Sequence, residues 1–395
     1  MKHLVSLLVC CLPLLIWGQK KGHKIEVEVV GFEAEEAYLA YYYGDKQYIA
    51  DTAVVSNGRF TFSGDDALDR GFYLVVLPPD NNYFEILVDE DQHFSLKTDK
   101  ADYVKNMIVK GSEDNSIFYE DLVFLAEKRT EAESLQKQLK TVGPTSAEGK
   151  AAQEKLSGIN GEVKAYRDNI MTSYPDFLYT KVLKTLEEPK IPEAPKGPDG
   201  QVLDSLFAFK YYRKHYFDNV DLTDARLLRS PVLFQKVDRY IEKLTYRHPD
   251  SIAASLDVIL SRTEGDDDMF QFFCVHYLNK YAKSKIMGMD AVYVYLVENY
   301  YMNGKAWWTD SATVADMTER ALSLSPTLLG RLSPNFRVQD DKGNWHQLHG
   351  VDADYTILYF WDYDCGHCKK ITPKLAEAFK DYVDHPVKLM AVSIN

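Results

Sequence analysis

The stretch Thr356-Ile357-Leu358-Tyr359-Phe360-Trp361-Asp362-Tyr363-Asp364-Cys365-Gly366-His367-Cys368-Lys369-Lys370 decides how the carboxy-terminal part of this chain folds. Thr356 to Trp361 is an apolar run rich in β-branched and aromatic residues, the pattern of a buried strand. From Cys365 to Tyr382 the apolar period becomes helical, and Val387 to Ile394 reads as a second buried strand. Strand, helix, strand at these lengths predicts a parallel, right-handed crossover. Just upstream, Asn335 to Gln339 and Asn344 to Leu348 flank the turn Asp340-Asp341-Lys342-Gly343 and read as a hairpin.

Cys365 and Cys368 stand three apart at the expected helix start, close enough to form a disulfide. Unpaired N–H groups and the positive dipole end there stabilise a thiolate, the reactive form of cysteine. Cys365, the more exposed of the two, is expected to attack a partner disulfide, and Cys368 to resolve the mixed intermediate. Gly366 permits a tight helix start, and a protonated His367 favours the nearby thiolate. Asp362 and Asp364 oppose it, because negative charge disfavours ionisation of a neighbouring thiol.

Other chemistry for the pair remains open at this point. A zinc site needs two further ligands, for which His346 and His349 are candidates, although positions three apart on a strand face opposite ways. A permanent structural disulfide is a second alternative, though so small a loop stabilises little. Covalent haem attachment requires histidine directly after the second cysteine, and Lys369 stands there. Peroxide reduction calls for a Pro-x-x-x-Thr-x-x-Cys setting, which is missing around Cys365.

At 395 residues the chain has room for two or three domains. Its 46% hydrophobic and 13% aromatic content can build real cores, and a net charge of −13 argues against nucleic acid as a partner. The amino terminus reads as an export signal over residues 1–18: Lys2, an apolar run from Leu4 to Ile16, then Ile16-Trp17-Gly18 before Gln19. Such a run falls short of the ~20 residues that a membrane span needs. Left uncleaved, it would be a membrane anchor. Cys10 as a lipid site is disfavoured by Val9 before it and by the apolar residues beyond. Cleavage leaves Cys274, Cys365 and Cys368. Cys274 sits in the apolar run Met269 to Val275 and reads as a buried, inert thiol.

Three regions follow the signal. Residues 24–111 alternate apolar and polar positions in short runs: Ile25 to Val30, Ala37 to Tyr43, Gln47 to Val55, Arg59 to Ser63, Phe72 to Leu77, Tyr83 to Val88 and His93 to Thr98. Asn57-Gly58 is a strong hairpin signal, and the spacing predicts a small antiparallel β-sandwich. Residues 112–329 turn helical. A helix capped by Asp114-Asn115-Ser116 carries Phe118, Leu122, Leu125, Ala132 and Leu139 on a rough heptad. After a break at Val142 to Thr145, a second places Leu156, Ile159, Val163, Tyr166 and Ile170 alike. The two predict an antiparallel hairpin, either a spacer packed on its own chain or the arm of a homodimer. A proline-rich loop spans Glu188 to Gly200. Shorter helices then start near Leu203, run from Pro231 with proline in the first turn, and follow an Asp250 cap. Further helices are expected over Met269 to Ser284, Asp290 to Tyr301 and Ser311 to Leu324. Asp266-Asp267-Asp268 reads as a dipole-matched helix start rather than a calcium site, which needs more ligands at spaced positions. Residues 330–395 hold the cysteine unit. The fold class expected is therefore multidomain α+β.

The last region resembles the thioredoxin superfamily, especially its exported TlpA-type branch. The resemblance rests on the Asp-Asp-x-Gly-like hairpin turn, Phe360-Trp361, Cys365-Gly366-His367-Cys368-Lys369-Lys370, and Pro373 five past the second cysteine. It implies a partial thioredoxin-like α/β domain with a redox-active Cys365–Cys368 disulfide, supported by Gly366, His367, Trp361 and Pro373, and needing no cofactor. It also implies an exported thiol–disulfide oxidoreductase of the periplasm or cell envelope. Envelope protein thiols or disulfides would be its substrates, with an upstream redox partner. Asp364 departs from the usual tryptophan, Tyr359 from a buried aspartate, and Ile371 from a glutamate common in that branch. The family fold also continues with two antiparallel strands, a helix and a cis-proline, none of which follows Asn395, so the expectation is a truncated reading frame. The regions upstream look like uncharacterised domains found before such modules. The rival reading is a non-catalytic envelope binding or scaffold protein, with Tyr41, Tyr42, Tyr43 and Tyr48 as aromatic contacts.

Overall fold

The computed structural model describes residues 21–393 and resolves the chain into two compact units, one ending at Lys283 and one beginning at Ser284. The expected export signal, with Cys10 and Cys11, lies outside the described residues, as does Ile394 at the end of the last strand.

The first unit opens with strands β1 (His23–Val30), β2 (Glu36–Tyr43), β3 (Lys46–Val54), β4 (Arg59–Gly64), β5 (Gly71–Leu77), β6 (Asn82–Val88), β7 (His93–Asp99) and the short β8 (Ile108–Lys110). They form two four-stranded sheets, ordered β4-β1-β7-β8 and β3-β2-β5-β6. Every ladder is antiparallel except β1 with β7, which runs parallel. Period-two alternation turns Ile25, Val27, Val29, Phe60, Phe62, Phe94 and Leu96 toward Leu39, Val75, Phe84 and Ile86 of the facing sheet. In β5 the opposite face is buried too, at Phe72 and Leu74. The helical region covers it there, with Phe72 edge-to-face on Phe118 at 5.8 Å.

Helix α1 (Glu113–Val142) is joined through Gly143 to α2 (Ala147–Ser173), the antiparallel pair that the heptads predict, and α3 (Leu178–Leu186) follows. The start of α1 departs from expectation. Its cap is Ser112, whose Oγ accepts the Asn115 N–H at 3.4 Å, while Asp114 and Asn115 are buried within the helix. Asn115 serves the sheet instead. Its Oδ1 accepts the Leu87 N–H at 2.8 Å and its Nδ2 donates to the Leu87 carbonyl at 2.7 Å. A side-chain amide thus stands in for a neighbouring strand at the edge of β6. The Tyr119 hydroxyl donates to the Glu85 carbonyl at 2.8 Å in the same way. Asp121, fully buried, ties three helices together: Arg167 of α2 donates to it at 2.9 Å and the Tyr179 hydroxyl of α3 donates to the same oxygen.

The unit continues with α4 (Phe207–Lys214), α5 (Leu233–Lys243), α6 (Pro249–Thr263) and α7 (Asp267–Ala282). Three helix starts move from their expected places. Leu203 stays in the loop, its N–H bonded to the Pro195 carbonyl, and α4 begins at Phe207. Pro231 lies before α5, whose cap is Val232. His248 is the cap of α6, with Pro249 and Asp250 in its first turn, because proline fits a first helical position that has no amide to satisfy. Asp266 caps α7 and accepts the Met269 N–H at 2.9 Å, as a dipole-matched start requires. Sandwich and helices meet at Gly44, where φ is +61° and a Cβ would lie 1.9 Å from the Phe272 ring. Cys274 is buried in α7.

The second unit holds α8 (Asp290–Leu296), continued by a π-helical turn to Tyr301, and α9 (Ser311–Leu324). A hairpin of β9 (Arg337–Gln339) and β10 (Trp345–Gln347) precedes β11 (Tyr355–Trp361), α10 (Gly366–Phe379) and β12 (Val387–Ser393). Strands β11 and β12 pair in parallel, Tyr355 opposite Val387 through Trp361 opposite Ser393. The expected burial of both strands is corrected. Ile357 and Phe360 are 41% and 55% exposed, because two strands and one helix among the described residues do not supply a layer for each face. No helix among the described residues is long and apolar enough to cross a membrane.

One buried carboxyl gives this architecture a pH dependence. Asp114 accepts the N–H groups of Leu178 at 3.1 Å and Tyr179 at 3.3 Å, the first two amides of α3. Burial, aided by the charge of Asp89, outweighs those bonds and the nearby Arg226, and pushes the carboxyl up to about 7. Since the folded value exceeds the unfolded one, the folded state takes up a proton. The stability this group contributes is complete at acidic pH and is lost as pH rises from about 4 through about 7. Asp114→Asn cannot ionise, but it keeps one acceptor where the carboxyl offers two. Urea unfolding should show the parent losing on the order of 1–3 kcal/mol relative to the variant as pH rises from about 5 to about 8, whichever is the more stable at the start. Equal pH slopes for the two proteins would refute this account.

Candidate functional site

Strand β11 ends at Trp361, and the turn Asp362-Tyr363-Asp364 delivers the chain to α10. Its geometry is set by Asp362, whose carbonyl accepts the Cys365 N–H at 3.2 Å and whose carboxylate accepts the Asp364 N–H at 2.8 Å. Cys365 is the cap of α10, with φ −71° and ψ 112°. Its sulfur fills the role usually taken by a serine or aspartate oxygen and accepts the Cys368 N–H at 3.3 Å. Both cysteines are thiols and both are partly accessible.

The sulfur's surroundings set donors against the Asp362 charge. The Cys368 thiol donates to Cys365, and the N–H groups of Cys368 and His367 add to it. Together they hold the Cys365 thiol below its ordinary value, against slight desolvation and the Asp362 charge. Sulfur is a poor acceptor as a thiol and a good one as a thiolate, so a cap that needs an acceptor favours the ionised form. His367 contributes here through its backbone.

The supporting residues fall as follows. Gly366 opens α10 with ordinary backbone angles, and a Cβ there would meet nothing within 4 Å. Open space beside the turn would leave room for a side chain there. His367 is exposed and Trp361 half-buried opposite Ser393. Pro373 lies inside α10, where its missing N–H leaves the Lys369 carbonyl without the usual partner. His346 and His349 are engaged away from the sulfurs, with Asp340 at 3.0 Å and the Ser333 carbonyl at 2.9 Å.

Two further residues reach the site. The Thr372 hydroxyl donates to the Cys368 carbonyl at 2.8 Å, which leaves the Tyr359 hydroxyl to donate to Thr372, also at 2.8 Å. A polar link thus runs from the middle of β11 to the turn that carries Cys368, at the position where a buried aspartate is expected in the resembling family. Threonine four residues past Cys368 on a helix is the sequence signal for the first bond. The second depends on how strand and helix pack.

Of the tyrosines proposed as a binding surface, Tyr41, Tyr42 and Tyr43 are half-buried and engaged within the first unit. Tyr41 packs against Tyr73, the Tyr42 hydroxyl donates to Glu85 at 2.7 Å, and Tyr43 packs edge-to-face on Phe272 at 5.3 Å. Tyr48 is exposed at 42% and leans on Tyr41.

Three family models match separate segments: a domain of unknown function, DUF4369, over residues 23–118; another, DUF5106, over 145–322; and the AhpC/TSA family over 329–395. No curated protein matches the chain. Among solved structures, a thioredoxin-like protein from Bacteroides caccae is similar at 17% identity and a TM-score of 0.38, covering 52% of this chain and 75% of its own. The match over 329–395 falls on the strand–helix–strand unit with its two thiols at the helix start, and this carboxy-terminal region is thioredoxin-like.

Proposed function

We propose that this chain is an exported thiol–disulfide oxidoreductase that exchanges disulfides with proteins of the periplasm or cell envelope. The observation that carries the reading is the Cys365 sulfur, accepting the Cys368 N–H at a helix start and held toward its thiolate. Export rests on the signal-like residues 1–18.

In the reducing direction, the Cys365 thiolate attacks one sulfur of a client disulfide. A mixed disulfide forms, the client S–S bond breaks, and the first client sulfur leaves as a thiolate that takes a proton from water. Cys368 then loses its proton and attacks the Cys365 sulfur. The second client thiolate departs and the Cys365–Cys368 disulfide closes. Two electrons pass to the client, and an upstream redox partner restores the dithiol. The same steps reversed oxidise a client dithiol. The Thr372 and Tyr359 hydroxyls act as positioning groups on the Cys368 turn.

Two outcomes test this. With a disulfide-bonded client such as insulin and a chemical reductant, Cys365→Ser should lower exchange by on the order of 10²-fold. Cys368→Ser should accumulate a Cys365 mixed disulfide visible by mass. Exchange undiminished in Cys365→Ser would sink the assignment. The second test follows the rate at which iodoacetamide modifies Cys365 against pH. The midpoint should lie below that of an ordinary thiol and move up in Cys368→Ala, which removes the largest stabilising contact. An unmoved midpoint would mean that Cys368 does not tune its neighbour.

A further inference from the structure

Along the side of the first unit, a groove runs between α1 and the segment joining β7 to β8. It comprises two adjoining clefts of about 460 and 390 Å³ that share Val104 and Tyr119. Val104, Met107 and Val109 form one wall of the larger cleft, and Val123, Phe124 and Tyr166 the other. Each of these six is only half-buried, so apolar surface reaches solvent along the whole groove. The shape is preformed. The Tyr119 hydroxyl is anchored on the β6 backbone, and Phe124 stacks on Tyr166 at 4.2 Å, fixing the outer wall.

The charge of the rim is one-sided. Glu120 and Glu127 line the larger cleft, Glu85 and Asp102 the smaller, and among the described residues no lysine, arginine or histidine lines either. Glu120 and Glu127 are exposed, two helical turns apart, at either end of the Val123–Phe124 wall. Lys128 sits 5.8 Å from the Phe124 ring and is neutralised by ion pairs to Glu131 and Glu162. The groove therefore combines apolar walls with an acidic rim, on a chain whose net charge is −13.

We propose that this groove is a polypeptide-docking site for a segment whose apolar side chains are flanked by lysine or arginine. Apolar side chains fill the Val104–Tyr119 trough, and the flanking cations meet Glu120 and Glu127. Anionic or uncharged polar chains gain nothing there, because each would set like charge or an unpaired polar group against the rim. None of the groove residues belongs to the thioredoxin-like domain, so the inference stands independently of the redox reading. If both hold, the groove offers a way to retain a client.

The test uses the full chain carrying Cys365→Ser and Cys368→Ser, which removes exchange chemistry from the measurement. The probe is a fluorescein-labelled ten-residue peptide alternating lysine and leucine, followed by anisotropy. Two comparison peptides replace lysine by glutamate or leucine by glycine. The lysine–leucine peptide should bind saturably. Both comparison peptides, and the Glu120→Lys/Glu127→Lys variant, should weaken binding at least tenfold, and affinity should fall as salt rises from 0.05 to 0.5 M. Both glutamates are exposed, so the variant should fold, and an unchanged urea midpoint confirms that it does. Equal affinity for the charge-reversed variant or for the lysine–glycine peptide would overturn the proposal, as would the absence of saturable binding by the lysine–leucine peptide.

Discussion

Backbone N–H groups that regular structure leaves without a partner set the terms for this protein. A sheet edge and a helix start both present such groups, and burying one unpaired costs about 1–3 kcal/mol. At the edge of β6 the amide of Leu87 is met by the Asn115 side chain, which also donates to the Leu87 carbonyl. That reciprocal pair fixes where α1 begins and which way it leaves the sandwich. Phe118 can then reach Phe72 on one side and Tyr179 on the other, so α3 docks against the same turn of α1. Neither contact forms with α1 displaced by one residue, since Asn115 would then miss the edge and turn Phe118 away from the sheet.

The same requirement recurs at two helix starts with opposite electrostatic results. At α3 the acceptor is the Asp114 carboxyl, and at α10 it is the Cys365 sulfur. Both accept amide hydrogens at the positive end of a helix, which favours the anion. Burial decides between them. Asp114 is only 8% exposed and faces Asp89, so loss of hydration wins and the carboxyl is pushed toward its neutral form. Cys365 keeps access to water, the Cys368 thiol adds a further hydrogen bond, and the anion is favoured. A carboxyl kept toward its neutral form and a thiol held toward its anion thus differ chiefly in how much solvent each retains. Access to solvent is also what a client disulfide would require of Cys365.

The parts legible in the sequence were those set by local periodicity. Alternation in Ile25 to Val30 and its neighbours marks each long strand of the sandwich, and the heptads of α1 and α2 mark the helical pair. The three-residue β8 escapes that reading, because so short a run carries no period. Polar residues at helix starts were harder. Asp114-Asn115-Ser116 looks like a cap by composition, yet Ser112 caps the helix, and the partners of Asp114 and Asn115 lie 64 and 28 residues away. Periodicity does not report contacts over such distances. The cysteine pair was fully legible, because its chemistry is local to one turn. The tuning of Cys365 was not, since ranking the Cys368 and His367 donors against Asp362 requires knowing which of them point at the sulfur.

Long-range polar contacts also explain why sandwich and helices up to Lys283 form one compact unit, although two family models divide this part of the chain. Arg226, which follows the proline-rich loop, pairs with Asp89 at the end of β6 at 2.7 Å and with Asp224 at 2.7 Å. It also donates to the Asp176 carbonyl just before α3. Its charge is mostly buried, and a guanidinium so placed is stable only while its carboxylates stay with it. Arg229 repeats the pattern one turn on, pairing with Asp69 at 2.8 Å and lying over the Tyr43 ring at 5.3 Å. Separating sandwich from helices would take Asp89 from Arg226 and Asp69 from Arg229 at once, a loss that falls on several contacts together. The joint therefore behaves as part of a single core.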